Sequence, residues 1–169
     1  MIDNERPVMK RITVYCGSNL GEDKAFVVAA GAMGQALAAG NHTLVYGGGN
    51  IGLMGALADS TLAHGGQVIG VIPTFLKNKE VAHLGLTELI ETTDMTSRKN
   101  HMMALADGFI ALPGGLGTYE ELFDVLSQAQ LHLHDKPIGV LNVAGFFDGL
   151  ITLLQQPASS GFMPPAYTR

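Results

Sequence analysis

The chain has 169 residues, 47% of them hydrophobic and 15% charged, which suits one domain that buries about 70% of its unfolded surface and excludes intrinsic disorder. Ten Lys and Arg against fifteen Asp and Glu leave a net charge of −5, so no field draws the chain to nucleic acid or to an anionic membrane. The single Cys16 excludes an internal disulfide. No apolar run reaches the ~20 residues that span a bilayer, and residues 1–6 lack the basic and apolar regions of a signal peptide, so the chain is expected to be cytoplasmic.

Residues 1–10 are polar and are expected to form a flexible tail. A strand over 11–16, rich in β-branched residues, is stopped by Gly17-Ser18-Asn19, and a helix follows over 22–39. The same alternation recurs as a strand over 43–46, a helix over 52–64 and a strand over 67–72, with Gly65-Gly66 as a helix stop. Residues 73–85 are irregular. A weak strand over 86–91 leads to a helix over 96–106, and the chain closes with a strand over 108–112, a helix over 118–131, a strand over 137–141 and a helix over 146–159.

Alternating strands and helices call for a parallel sheet covered on both faces. From residue 25 to residue 72 the only formal charge is Asp59, as strands buried on both faces require. The expected architecture is an α/β, Rossmann-like, doubly wound sheet in a single domain spanning residues 1–169. In such sheets ligands bind beyond the carboxyl ends of the strands.

Three loops at those ends are rich in Gly or Ser: Cys16-Gly17-Ser18, Gly47-Gly48-Gly49-Asn50-Ile51-Gly52 and Pro113-Gly114-Gly115-Leu116-Gly117-Thr118. Glycine lets backbone approach a ligand, and a following helix presents unpaired N–H groups, so the three together favour a phosphorylated small molecule. Gly47, Gly49 and Gly52 match the dinucleotide spacing, but they follow the second strand, and the next strand ends in Val71-Ile72-Pro73-Thr74 with no acid for a ribose hydroxyl. No Lys stands where a Walker loop needs one. No two His share an i, i+4 spacing, so neither a metal nor an organic cofactor is expected.

The third loop carries more. Thr118 is expected to open its helix with Glu121 on the same face three residues on, while Glu120 points about 100° away. Arg98 and Lys99 begin another helix, where a cation suits the helix dipole poorly and therefore serves something else.

Ser97-Arg98-Lys99 together with Pro113-Gly114-Gly115-Leu116-Gly117-Thr118-Tyr119-Glu120-Glu121 resembles the paired signature of the LOG family, cytokinin riboside 5′-monophosphate phosphoribohydrolases often mislabelled as lysine decarboxylases. Gly47-Gly48-Gly49, Val68-Ile69-Gly70-Val71-Ile72-Pro73, Glu80-Val81-Ala82-His83 and Leu131-His132-Leu133-His134-Asp135-Lys136-Pro137 are similar to family segments too. One departure is Thr96-Ser97, where members commonly carry His and an acid. The resemblance implies hydrolysis of the N-glycosidic bond of N6-substituted adenosine 5′-monophosphates, with AMP itself a further substrate. It makes Glu121 and Arg98 catalytic. It also implies that Gly114, Gly115, Gly117 and Thr118 hold the 5′-phosphate, that Ser18 and Gly48 bind substrate or phosphate with them, that Lys99 and Glu80 hold the nucleotide, and that the chain works as a homodimer or higher homo-oligomer. Two alternatives stay open on the same loops: a non-catalytic nucleotide-binding or carrier module, and a broad nucleoside-monophosphate glycosidase.

Overall fold

The computed structural model describes residues 9–77 and 81–164. Six strands, β1 (Arg11–Tyr15), β2 (Thr43–Tyr46), β3 (Gln67–Pro73), β4 (Glu88–Thr92), β5 (Gly108–Ala111) and β6 (Ile138–Val140), form one sheet in the order β4-β3-β2-β1-β5-β6. Every pairing is parallel. Between them run α1 (Lys24–Ala39), α2 (Gly52–Ala63), α3 (Met95–Leu105) and α4 (Leu116–Gln130), and α5 (Asp148–Ser159) follows β6. This is the Rossmann-like α/β sheet expected from the alternation. Among the described residues no helix is long and apolar enough to cross a membrane.

The strands divide their side chains between two cores. Val14, Cys16, Leu44, Tyr46 and Val68 face α1 and α2, whereas Tyr15, Val45, Ile69 and Phe109 face α3, α4 and α5. This period-two alternation in uniformly apolar strands is what burial on both faces produces. Leu44, Leu57 and Val68 are wholly excluded from solvent, and each such side chain contributes roughly 1.5–3 kcal/mol of transfer free energy. The outermost strand β4 is half exposed and carries Glu88 and Glu91, charges that discourage pairing with another edge.

Local capping moves several helix starts from their expected positions. Asp23 caps α1 by accepting from the amide of Ala25 at 2.8 Å, so the helix begins at Lys24 rather than at residue 22. Asp94 does the same for α3 through the amide of Ser97 at 2.7 Å, and these hydrogen bonds hold its carboxyl below the usual carboxylate range. Helix α4 starts at Leu116, with Gly115 at its cap, so Thr118 lies in the first turn instead of opening the helix. Residues 1–8 of the expected tail and the candidate Glu80 lie outside the described residues. Lys10, assigned to that tail, is tied down, because its carbonyl accepts from Thr43 at 2.9 Å.

Helices α1 and α2 pack closely through Gly34. A Cβ there would stand 2.7 Å from the Leu57 carbonyl and 2.8 Å from the Thr61 amide, both backbone atoms that cannot swing aside. Gly31, one turn earlier, has open space at the same position. Urea unfolding is therefore expected to move in opposite directions for two like substitutions. Gly34→Ala should lose about 1–3 kcal/mol through overpacking, and Gly31→Ala should gain about 0.5–1 kcal/mol through helix propensity.

Candidate active site

Strand order decides where a ligand fits. The chain leaves β1 toward β2 on one side and reaches β5 on the other, so the loops after β1 and β5 diverge and open a crevice between them. The amide of Leu112 donates to the Tyr15 carbonyl at 2.8 Å and the amide of Gly17 to the Pro113 carbonyl at 3.0 Å, which fixes the crevice floor. Above it is a cavity of about 360 Å³, within the roughly 300–1,000 Å³ of small-molecule sites.

Glycine is required at two points of this floor. Gly114 passes so near Thr118 and Gly17 that a Cβ would fall 2.7 Å from the Thr118 Cβ and 2.9 Å from the Gly17 nitrogen. Gly52 has a φ of +64°, and a Cβ there would overlap the Ser18–Asn19 peptide. Gly115 and Gly117 differ, because a Cβ on either would meet no protein atom within 4 Å. Both border the cavity at the start of α4, where no side chain caps the helix. Gly in a helical turn costs up to ~1 kcal/mol relative to Ala, so at Gly117 the protein accepts weaker helix propensity where packing would admit a side chain. Thr118 is buried, yet its hydroxyl is not sealed from the cavity and bonds to no described residue. Unpaired amides at a helix start beside a hydroxyl are the kind of donors that can hold an anion.

The second glycine loop is used differently. Met54 and Leu53, in the first turn of α2, donate their amides to the carbonyls of Gly17 and Asn19 at 3.3 and 3.4 Å. Those donors serve the neighbouring loop. Gly48 does not line the cavity, and its carbonyl accepts from the amide of His83 at 3.0 Å.

Arg98 explains the cation at a helix start. Its Nε donates to the Val71 carbonyl at 3.0 Å and its Nη2 to the Gly47 carbonyl at 2.7 Å, so it bonds the ends of β3 and β2 across the top of the sheet. The residue is only 4% exposed, and a Cβ on Gly47 would collide with its guanidinium. Thr13 on β1 donates to the Met102 carbonyl at 3.0 Å, which holds the far half of α3 against the sheet. Glu121, one turn into α4 beyond Gly117, reaches the same cavity. Burial pushes the Cys16 thiol and the Tyr15 phenol up, and the Glu121 charge adds to both. Cys16 is thus a neutral thiol at physiological pH, unsuited to act as a nucleophile.

The cavity thus brings together Ser18, Arg98, Gly114, Gly115, Gly117, Thr118 and Glu121. It does not bring in Gly48 or Lys99. The Lys99 ammonium lies 2.7 Å from Glu120 and 3.4 Å from Asp124, and its pKa is raised chiefly by the hydrogen bond to Glu120. Sequence reasoning missed the aromatic wall of Phe26 and Phe146, whose rings meet edge to face at 5.7 Å. An aromatic on an apolar helix reads as core. Phe146 is turned inward by Ala144 and Gly145, at φ 50° and 75°, and Asn142 braces the turn by accepting from the Phe147 amide at 2.7 Å. The Ala144-Gly145-Phe146 order was the one available sign of that turn.

A family model described as possible lysine decarboxylase matches residues 54–169. The probable cytokinin riboside 5′-monophosphate phosphoribohydrolase LOGL9 of Oryza sativa subsp. japonica is 44% identical over 94% of this chain and 70% of its own length. Cytokinin riboside 5′-monophosphate phosphoribohydrolase LOG5 of Arabidopsis thaliana is 44% identical over 93% of this chain and 69% of its own. The molybdenum cofactor binding protein of the phototrophic bacterium Rippkaea orientalis shares the fold, with a TM-score of 0.69 at 24% identity over 92% of this chain and 86% of that one. By the family match and by the identity to its plant relatives, the chain belongs to the family of possible lysine decarboxylases that includes the LOG phosphoribohydrolases.

Proposed function

We propose that this chain hydrolyses the N-glycosidic bond of cytokinin riboside 5′-monophosphates, releasing the free base and ribose 5-phosphate, the activity for which its relatives are named. The observation that carries the reading is the open, uncapped start of α4 at Gly115 and Gly117, one helical turn from the Glu121 carboxylate in the same cavity. An anion site beside a carboxylate matches a substrate with a phosphate at one end and a bond that develops positive charge at the other.

The chemistry follows from the charges. As the bond from C1′ to the base breaks, its electron pair passes to the base and the ribose takes on oxocarbenium character. The Glu121 carboxylate stabilises that charge and accepts a proton from the water that adds to C1′, while the departing base takes a proton from solvent and Glu121 returns its own to solvent, so that one water is consumed per bond broken. Arg98 does not give up a proton. Fixed by the carbonyls of Val71 and Gly47, its guanidinium orients the leaving base and offsets the negative charge that builds there. The amides around Gly114, Gly115 and Gly117 and the Thr118 hydroxyl hold the 5′-phosphate, with Ser18 at the border. The mechanism calls on no metal.

A homodimer or higher homo-oligomer accords with the exposed apolar side chains Leu153 and Phe162, 55% and 82% accessible, and cytoplasmic residence accords with the buried free thiol of Cys16.

Chromatography of the released base tests the catalytic assignment. Glu121→Gln should lower kcat by at least ~100-fold with nucleotide binding largely kept, and a variant that still releases base at the wild-type rate contradicts it. Binding without hydrolysis by the wild type would favour a carrier. Gly117→Ala gives an independent check. It should raise unfolding stability by about 0.5–1 kcal/mol while weakening AMP binding about tenfold, or ~1.4 kcal/mol, in calorimetry.

A further inference from the structure

Arg98 and Lys99 are adjacent on α3, yet they leave it in directions about 100° apart. Arg98 runs into the sheet ends. Lys99 crosses to α4, where its Nζ lies 2.7 Å from Glu120 Oε1 and 3.4 Å from Asp124 Oδ2. These carboxylates stand one helical turn apart, at i and i+4, and Glu121 follows the first of them directly. Asp124 is itself held, because its Oδ1 accepts from Gln128 Nε2 at 3.0 Å, and the same Gln128 nitrogen reaches Met103 Sδ on α3 at 3.4 Å. The seam between the two helices is thus pinned on the outer side by Lys99 and farther along by Gln128.

Resting on the function assigned above, we propose that Lys99 is a positioning residue: its ammonium, bridging Glu120 and Asp124, sets the rotation and spacing of α4 against α3 and so places the Glu121 carboxylate opposite Arg98. The geometry separates this from a role in holding nucleotide. Lys99 does not border the cavity, whereas its neighbour Arg98 does. Its side chain is 19% exposed and directed at two carboxylates that a phosphate would have to displace. The bridge spans the two helices that carry the reacting groups, so a shift of one relative to the other is felt at the scissile bond, where small misplacements are costly.

A mutant cycle on the full chain, read as hydrolysis of an N6-substituted AMP, tests this. Lys99→Met and the paired change Glu120→Gln with Asp124→Asn should each lower kcat about tenfold with KM within about threefold of wild type. The three changes combined should be no worse than either alone, because all remove one bridge. Lys99→Arg should recover kcat to within about threefold. If Lys99→Met instead raises KM about tenfold at unchanged kcat, and the carboxylate pair can be removed without effect, Lys99 holds the nucleotide and the proposal falls. Unchanged kinetics in both variants also overturn it. Should Lys99→Met fail to fold, the carboxylate variant carries the same test. A wild type that releases no base overturns the functional reading alone. Amide exchange in the first two turns of α4 then decides the bridge: about tenfold faster exchange in Lys99→Met supports it, and unchanged exchange removes it.

Discussion

The site depends on one adjacency, the parallel pairing of β1 with β5. Because the chain turns outward in both directions from this pair, the loops that follow the two strands separate, and the bonds from Leu112 to Tyr15 and from Gly17 to Pro113 lock them at a fixed spacing. The close approach of Gly114 to Gly17 and Thr118 is a consequence of that spacing. So is the direction of α4, whose first turn is aimed over the crevice with its amides uncapped. Any side chain at Gly114 would push the loops apart and move the start of α4 and Glu121 together.

Stability and function compete within this small region. The protein carries two glycines at the head of α4 that packing does not require, leaves that helix without a capping side chain, and buries a guanidinium among backbone carbonyls. Gly117 and the missing cap cost folding free energy, and these features and Arg98 all border the cavity. The remainder of the domain offsets this with two cores of fully excluded aliphatic and aromatic side chains on either face of the sheet.

Much of the fold was legible because the strands are short, apolar and punctuated by glycine, and their order of alternation leaves few topologies. Element interiors were placed well and ends less so, since Asp23, Asp94 and Gly115 settle helix starts through single hydrogen bonds or their absence, below the resolution of periodicity. The site was legible in part. Glu121, Thr118 and the third glycine loop share one helix turn, and local spacing suffices to group them. Gly48 read as a phosphate loop residue because a glycine run gives no sign of which way its amides point, and the first turn of α2 proved committed to the carbonyls of Gly17 and Asn19. Lys99 read with Arg98 because they are neighbours in the chain, although helical geometry sends them to different partners. Phe26 and Phe146 were invisible as cavity walls because only the tertiary fold joins the start of α1 to the turn after β6.

The central claim is that phosphate held at Gly115 and Gly117 presents the glycosidic bond to Glu121. It is tested most directly by supplying purified protein with N6-isopentenyl-AMP and, separately, with the matching nucleoside, and quantifying both products. The account predicts free base and ribose 5-phosphate in equal amounts from the monophosphate and essentially no base from the nucleoside. Equal release from both substrates, or no release from either, would contradict it.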